Sequence, residues 1–186
     1  MKRALDILSA LGGLIVFALP LALVALAVMV TSRGPVLHWS ERIGRDNTIF
    51  RMPKFRSMRI DTPQLATHLL NDPGRWLTPI GGFLRKSSLD ELPQLWSILV
   101  GDMSVVGPRP VLFNQKDLAA LRTVHGVHRL RPGLTGWAQV NGRDRLPLRT
   151  KVELDAEYLR RQSLLLDGKI VLMTIRKVLT ARDVTH

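Results

Sequence analysis

The sequence predicts a mostly α-helical protein that contacts a membrane through its N-terminal segment. Two observations predict this class: an uncharged apolar segment at residues 7–30 and apolar residues at helical spacing in several later segments. Strand patterns are few, and the chain shows neither internal repeats nor low-complexity tracts. We therefore expect helices with little β structure and no parallel nucleotide-binding sheet.

The apolar segment at residues 7–30 contains 24 uncharged residues. A helix of that length reaches about 36 Å, enough to cross the hydrocarbon core of a bilayer. Pro20 lies near its middle, where proline removes a backbone hydrogen bond and kinks a helix. The kink permits a helix that enters and leaves on one side, but a spanning helix and a signal peptide with Ala25-Leu26-Ala27 at its end also fit this segment.

Basic residues flank the apolar segment on both sides, with Lys2 and Arg3 before it and Arg33 and Arg42 among those after it. Cytoplasmic flanks of membrane segments carry an excess of Lys and Arg. We therefore expect both flanks on the cytoplasmic side, with residues 1–32 as the membrane helix and 33–186 as one cytoplasmic domain.

The chain of 186 residues has a formal net charge of +12, from 27 Lys and Arg against 15 Asp and Glu. This charge favours nucleic acid, phospholipid headgroups or phosphorylated substrates as partners. Cysteine is absent, which excludes disulfides, thiolate nucleophiles and cysteine-based metal sites. Neither a phosphate-binding P-loop motif nor a serine-hydrolase motif occurs.

The rest of the chain is predicted to consist of short helices joined by loops. Residues 31–60 should form a basic, partly extended strip at the membrane surface, with Phe50 and Phe55 among cations. One helix should end near Gly101, with an apolar face made of Leu92, Leu95, Trp96 and Leu99. The other helices are predicted at residues 64–70, 111–121, 151–161 and 167–179.

The adjacent carboxylates Asp90 and Glu91 are the strongest candidates for chemistry. From these residues alone a structural role stays open, because Ser88 and Glu91 fit a helix capping box. Pro93 argues against that helix start, since it would forfeit a bond in the first turns. The functional interpretation is a phosphate site formed by the helix N-terminus with Arg85 and Lys86, in which a carboxylate attacks phosphorus.

A carboxylate that attacks a diphosphate is an anion approaching an anion, so cations must neutralise the developing charge. A bound Mg²⁺ is the natural supplement. Adjacent helical positions point about 100° apart, so Asp90 and Glu91 should have different tasks. We expect one to attack and the other to bind the metal.

Two further runs contain candidate ligand-binding residues. Pro108 and Pro110 fix the backbone around Arg109, which suits an arginine that grips an oxyanion, although this pattern also forms rigid turns. The glycines of the run at residues 131–143 permit tight turns and close ligand approach, while Trp137 could be a packed anchor. His125 and His128 lack further ligands nearby and are predicted to be surface residues.

Four segments together resemble the bacterial sugar transferase family, the monotopic polyprenyl-phosphate phosphoglycosyl transferases. They are Lys54-Phe55-Arg56-Ser57-Met58, the run from Ser88 to Gln94, the run from Gly101 to Pro110, and the run from Arg131 to Arg143. The resemblance covers nearly the whole chain. It implies a re-entrant membrane helix broken at Pro20, with a small cytoplasmic domain whose amphipathic helices lie on the membrane surface.

The resemblance also implies a reaction and its residues. Asp90 would attack the sugar-bearing phosphate of a UDP-sugar, expelling UMP and leaving a covalent phospho-sugar, which polyprenyl phosphate then collects. Glu91 would hold Mg²⁺. Substrate-binding positions would be Arg85, Arg109, Lys54, Arg56, Gln139 and Arg143.

The implied partners are a UDP-sugar, polyprenyl (undecaprenyl) phosphate and membrane phospholipids, without nucleic acid, at the bacterial inner membrane. A homodimer is one oligomeric state that the sequence allows. Two competing functions remain open from the residues: a membrane phosphatase with Asp90 as nucleophile, and a basic membrane-tethered nucleic-acid-binding module with Phe50 and Phe55 among its cations. A purely structural membrane subunit is a third.

Overall fold

The computed structural model describes residues 1–63, 72–142 and 145–179. Its fold is mostly helical, as predicted. The helices are α1 (Lys2–Val16), α2 (Ala18–Thr31), α3 (Gly81–Ser87), α4 (Gln94–Val100), α5 (Lys116–Val124), α6 (Trp137–Val140), α7 (Leu148–Arg161) and α8 (Leu164–Leu179). The strands are β1 (Leu37–Ile43), β2 (Ile49–Phe55), β3 (Ser104–Val106), β4 (Val111–Leu112) and β5 (Gly133–Thr135). Short 3-10 turns cover Arg45–Asn47, Pro73–Trp76, Leu89–Glu91 and Val127–Arg129.

The N-terminal apolar segment forms two helices, α1 and α2, bent by 63°. The break falls at Phe17, three residues before Pro20. Pro20 has no N–H to bond the carbonyl of Val16, and its ring crowds that carbonyl, so the helix breaks in the preceding turn. In the described part of the chain, no single helix has the length and hydropathy of a membrane span, whereas the bent pair together has them.

Residues 37–55 form an antiparallel hairpin of β1 and β2, in which Ser40 faces Met52. β4 pairs with the other edge of β1, giving the strand order β2-β1-β4. The prediction of a membrane-surface strip is wrong for the aromatic residues of β2. Phe50 and Met52 are buried on one face of the strand and Phe55 on the other, because successive residues of a strand point to opposite sides.

Strand β2 is shared by two of the three apolar clusters. The first joins α1, β2 and α4 through buried residues that include Ala10, Met52 and Ile98. Another joins α2, β2 and α3 through Val28 and Leu84. Burial on both faces fixes β2 firmly against α1 and α2. A third cluster joins β3, α6, α7 and α8; its buried members are Val106, Val140, Tyr158, Leu166 and Ile170.

The helix predicted around residues 92–99 is shorter than expected. A 3-10 turn, Leu89–Glu91, precedes it, Pro93 is the residue before α4, and Gly101 ends α4 with a φ of 103°. The helix therefore begins only after Pro93. Its buried face also differs from the predicted one, since Trp96 is 54% exposed. The buried residues of α4 are Gln94, Leu95, Ser97 and Ile98.

The other helix predictions are largely confirmed. The helix expected at 111–121 begins at Lys116, because Val111–Leu112 pairs with β1. Those expected at 151–161 and 167–179 lie within α7 and α8, each of which begins three residues earlier. The helix predicted at 64–70 lies outside the described residues.

Strands β3 and β5 form a parallel pair of three residues each. Their backbones lie so close that a Cβ placed on Gly133 would lie 2.1 Å from the amide nitrogen of Gly107. Only glycine fits such an approach. Gly133 therefore serves close backbone packing between β3 and β5, a role that the sequence did not predict.

Candidate active site

Asp90 lies in the 3-10 turn Leu89–Glu91 between α3 and α4 and is 4% exposed. Ser88, just before it, has a left-handed backbone with a φ of 58°, a conformation that costs energy in a residue other than glycine. The Ser88 side chain makes no capping bond. The capping-box interpretation is therefore wrong, and the turn instead presents Asp90 and Glu91 to the end of β2.

Glu91 forms the centre of a charged cluster. Its Oε1 accepts a hydrogen bond from Lys54 Nζ at 2.8 Å and lies 3.8 Å from Arg109 Nη2. Lys54 comes from β2, and Arg109 from the Pro-Arg-Pro segment between β3 and β4. Three of the sequence-predicted site residues are thereby brought together from distant parts of the chain.

Arg85 joins the cluster from the last turn of α3. Burial lowers its pKa from the ordinary value, while the nearby Asp90 and Glu91 carboxylates act in the opposite direction. Burial likewise lowers the pKa of Lys54, and Glu91 opposes that change. Both cations therefore lie in a poorly hydrated site where attraction to the two carboxylates keeps them charged.

Arg42 is a member of the cluster that the sequence interpretation missed. It lies on β1, where its Nε donates to Ser40 Oγ at 3.0 Å and its Nη1 donates to the Pro110 carbonyl at 3.3 Å. Burial and then repulsion by Arg109 lower its pKa to about 10, against the opposing effect of Glu91. Arg42 could be identified only from its position in β1, and the sequence did not predict that strand.

The environment of Asp90 disfavours its charge. Burial raises its pKa to about 6, with Lys54 opposing the rise and Glu91 adding to it. Its Oδ1 is buried and has no hydrogen-bond partner among residues 1–63, 72–142 and 145–179. A buried carboxylate oxygen without a partner is costly to the fold and available to a ligand.

The cluster carries more positive than negative charge. Four cations, Arg42, Lys54, Arg85 and Arg109, surround the two carboxylates Asp90 and Glu91. An excess of two positive charges in a poorly hydrated site suits a diphosphate.

Arg122 supports the cluster from behind and was also missed in the sequence. Its Nη1 donates to the carbonyl oxygen of Arg109 at 2.8 Å, while its Nε and Nη2 donate to Asp155 Oδ2 at 3.0 and 2.6 Å. This buried contact ties α5 and α7 to the Pro-Arg-Pro segment. It fixes the backbone from which Arg109 reaches Glu91.

Arg56 occupies a different place from the other predicted cations. It is 5% exposed, and its Nη2 donates to the carbonyl and hydroxyl oxygens of Ser32 at 2.9 and 2.7 Å, at the end of α2. Its described bonds therefore connect the domain to the apolar helix pair. None of these bonds reaches the charged cluster around Asp90 and Glu91.

Gln139 lines a cavity of about 290 Å³ that reaches Glu91 and Ser88. Its Nε2 donates to the Leu134 carbonyl at 3.1 Å, and its Oε1 is buried without a partner in the described structure. The other walls of this cavity are mainly apolar side chains of β5 and α8. Arg143, the remaining predicted contact, lies outside the described residues.

Asp90 and Glu91 are the donors available to a metal in this cluster. No group of three His, Cys, Asp or Glu side chains with metal-site spacing occurs in the described ranges. Mg²⁺ commonly binds one or two carboxylates together with substrate phosphates, so the adjacent pair and the unpartnered Asp90 oxygen fit such an ion. His125, as predicted, is a surface residue; its Nδ1 contacts the carbonyl of Leu121 in α5. The same prediction is only partly right for His128, which is half-buried and whose Nδ1 is buried.

Sequence comparisons agree with these features. The family described as bacterial sugar transferase matches residues 1–181. The chain is 41% identical over 195 residues to the undecaprenyl-phosphate glucose phosphotransferase of Komagataeibacter xylinus, covering 98% of this chain and 36% of that protein. It is 38% identical over 185 residues to the UDP-N-acetylgalactosamine-undecaprenyl-phosphate N-acetylgalactosaminephosphotransferase of Aeromonas hydrophila, covering 96% and 44%.

The chain thus spans less than half the length of these two relatives. It covers 90% of a third, the uncharacterized sugar transferase EpsL of Bacillus subtilis (strain 168), to which it is 38% identical over 184 residues and 99% of its own length. The family match extends over α1 to α8 and includes every cation and carboxylate of the cluster. The chain belongs to the bacterial sugar transferase family.

Proposed function

We propose that this protein transfers a sugar 1-phosphate from a UDP-sugar to polyprenyl phosphate. The observation that carries the proposal is Asp90, a buried carboxylate with an unpartnered oxygen and an elevated pKa, enclosed by an excess of cations. An anionic nucleophile can approach a diphosphate only where positive charge surrounds both groups. The names of the relatives, which specify undecaprenyl phosphate and a sugar, support the same reaction.

The reaction proceeds through two transfers at one phosphorus atom. In the first, an Asp90 carboxylate oxygen forms a bond to the sugar-bearing phosphorus, and the bond from that phosphorus to the bridging oxygen breaks. UMP leaves with the bond's electron pair. In the second, a phosphate oxygen of polyprenyl phosphate attacks the same phosphorus, releasing the Asp90 carboxylate and forming a polyprenyl diphosphate sugar.

The cations of the cluster have separable roles in this scheme. Lys54 and Arg85 lie close enough to Asp90 to lower its pKa, so they keep the nucleophile ionised. Arg109, held by Arg122, and Arg42 bind the phosphate oxygens of the donor. Glu91 would hold Mg²⁺, which would neutralise charge on the diphosphate.

The sugar is selected outside the charged cluster. Relatives with similar identity to this chain are named for different sugars, glucose in one case and N-acetylgalactosamine in another. Gln139, whose Oε1 is buried without a described partner, and Arg143 are the contacts that we assign to the sugar or the nucleotide. The proposal therefore names the class of donor and leaves its sugar to experiment.

The α1–α2 pair anchors the protein in the bacterial inner membrane as a re-entrant segment, with residues 33–186 on the cytoplasmic face. Its outer surface is apolar, with Ile15 76% and Leu19 69% exposed. A lipid environment would cover these side chains, which water would otherwise solvate poorly. The bend at Phe17 allows both flanks to remain on one side of the bilayer.

The test is UMP release by detergent-purified protein from a panel of UDP-sugars, measured with and without undecaprenyl phosphate. Asp90→Asn removes the nucleophile, and Asp46→Asn is the matched control because Asp46 is an exposed carboxylate away from the cluster. We expect one UMP per protein molecule without lipid and many UMP per protein molecule with lipid. Asp90→Asn should lose both activities, and Asp46→Asn should keep both.

Release of inorganic phosphate from small phosphate esters, unaffected by undecaprenyl phosphate, would replace the transfer with a phosphatase. Full turnover by folded Asp90→Asn would remove Asp90 from the mechanism. The nucleic-acid alternative rested on the net positive charge and on Phe50 and Phe55, and it has lost the second of these observations because both side chains are buried.

A further inference from the structure

A second cavity, of about 250 Å³, lies beside the first turn of α1. Its walls include Ser104 and Val106 of β3, whereas Val105 lines the cavity that reaches Glu91. Alternate residues of a strand point to opposite sides, so the two cavities lie on opposite faces of β3. We name this one the basic cavity; its charged lining consists of Lys2, Arg3, Asp6, Arg45, Arg129 and Arg131.

The single carboxylate of the basic cavity does not balance its cations. Asp6 is 4% exposed, and its Oδ1 accepts hydrogen bonds from the Ser104 hydroxyl and the Val105 N–H, both at 2.9 Å. Lys2 pairs with Asp167 at 2.6 Å, which offsets its charge. Asp6 is thus committed to β3. Arg45 Nε lies 3.3 Å from Asp46 Oδ2, an exposed pair that offsets the charge of Arg45. Within the described structure, Arg3, Arg129 and Arg131 have no carboxylate partner.

Two of these arginines are held in place by neutral groups. Arg3 donates to two carbonyl oxygens at the end of α4, at 2.5 and 2.8 Å, and Arg131 Nε donates to the Gly101 carbonyl at 2.8 Å. Carbonyl oxygens satisfy hydrogen bonds without cancelling a full charge. The Arg129 side chain has no hydrogen bond or ion pair within the described ranges. The basic cavity is therefore a preorganised site for an anion.

The surface beside the basic cavity changes from cationic to apolar within one turn of α1. Leu5 lies one turn after Lys2 and is 47% exposed. A phospholipid likewise has a charged headgroup followed by hydrocarbon chains, so the cations could meet the headgroup and the apolar surface could meet the chains. The cavity has room for several water-sized volumes of about 30 Å³ each, which suffices for a phosphate group.

We propose that the basic cavity binds the phosphate of an anionic phospholipid headgroup, with the acyl chains along the exposed apolar side of α1. The site would tie the first turn of α1 to β3 and the Val127–Arg129 turn. The lipid is a ligand distinct from the polyprenyl substrate. Its binding is independent of the proposed transfer reaction, because none of the lining residues belongs to the Asp90 cluster.

The experiment measures the thermal unfolding midpoint of the detergent-purified full chain as phosphatidylglycerol, phosphatidylcholine or inorganic phosphate is added. The test variant is Arg45→Gln with Arg129→Gln, since both side chains are exposed and their loss should leave the fold intact. The matched control is Arg149→Gln with Arg160→Gln, which removes the same charge from exposed positions of α7.

We expect phosphatidylglycerol alone to raise the midpoint, and the test variant to weaken its apparent affinity roughly fivefold for each charge removed. The control variant should respond like the unmodified chain. Equal responses in both variants would overturn the proposal by showing a general charge effect. A rise with millimolar inorganic phosphate equal to that with phosphatidylglycerol would overturn the lipid assignment and leave a soluble phosphate site.

Discussion

At the level of single residues, Asp90 combines a stability cost with chemical reactivity. Its carboxylate is buried, and the fold leaves Oδ1 without a partner in the described structure. Burial raises its pKa to about 6 from an ordinary 3.8, because the ionised carboxylate loses more stabilisation from water than it gains from the nearby cations. Such an arrangement is expected where a group serves a ligand.

This elevated pKa predicts that Asp90→Asn stabilises the protein. The folded state binds the Asp90 proton more tightly than the unfolded chain, so ionisation destabilises the fold as pH rises from about 4 to about 6. A shift of about two pKa units corresponds to at most about 3 kcal/mol. Thermal unfolding should show a higher midpoint for Asp90→Asn at pH 7.5, with little difference at pH 4. A lower midpoint at pH 7.5 would contradict the cost assigned to the ionised carboxylate.

Lys54 is predicted to set the pH dependence of turnover. The attacking group must be ionised, so turnover should rise with pH through an ionisation near pH 6. Because Lys54 lowers the pKa of Asp90, Lys54→Met should move this acid limb to higher pH, whatever its effect on the maximum rate. The measurement is a pH–rate profile of UMP release.

Lys86→Met is the control for that profile, since Lys86 is an exposed cation in the same turn of α3 as Arg85. An unchanged midpoint in Lys54→Met would show that Lys54 does not act on Asp90.

The sequence located much of the cluster but could not supply its whole geometry. Asp90 and Glu91 stood out because adjacent carboxylates followed cations, and Arg109 because two prolines fix its backbone. Arg42 and Arg122 gave no such signal: each becomes informative only when a strand or a distant helix brings it to Arg109. Arg56 shared a motif with Lys54, yet the end of β2 directs it toward Ser32.

At the level of secondary-structure elements, the spacing of apolar residues and the positions of glycine and proline predicted the long helices well. The hairpin of β1 and β2 was missed because its inward positions include Ser40 and Lys54, so apolar residues do not alternate cleanly with polar ones. β2 is buried on both faces, which further hides the alternation. The turn before α4 was missed because Ser88 adopts a left-handed conformation that its residue type rarely has.

Two glycines, Gly133 in β5 and Gly168 in α8, are predicted to respond in opposite ways to replacement by alanine. Gly133→Ala should destabilise the protein by about 3 kcal/mol or more, because its Cβ would lie 2.1 Å from a backbone nitrogen that cannot move aside. Gly168→Ala in α8 meets nothing within 4 Å and should stabilise by about 0.5–1 kcal/mol. Thermal unfolding of both variants is the measurement. Similar midpoints would show that the two strands are not packed this closely.

At the level of the whole molecule, the bent helix pair and the domain form one packed structure. Gly13 of α1 lies against Leu95 of α4, and Val24 and Val28 of α2 pack with Phe55. Both helices therefore present one side to the domain and an exposed apolar side outward. Arg56, two residues after Lys54, bonds Ser32 at the end of α2, so the charged cluster lies close to the end of the helix pair.

The re-entrant topology predicts that both flanks of the helix pair react from the cytoplasmic side. The chain has no cysteine, so single cysteines at the exposed positions Ala4 and Arg33 can be labelled without background. In inverted membrane vesicles, a membrane-impermeant maleimide should label both Ala4→Cys and Arg33→Cys. Labelling of only one of them before the membrane is dissolved would indicate a spanning helix.

The most direct test of the proposed chemistry is the intact mass of the protein after incubation with a UDP-sugar and Mg²⁺ in the absence of polyprenyl phosphate. The mass should increase by one sugar phosphate with equimolar UMP, the added group should map to Asp90, and undecaprenyl phosphate should remove it. A different outcome would contradict covalent transfer through Asp90. In that outcome UMP forms when the lipid is added, rapid quenching shows no increase in protein mass, and Asp90→Asn is still active.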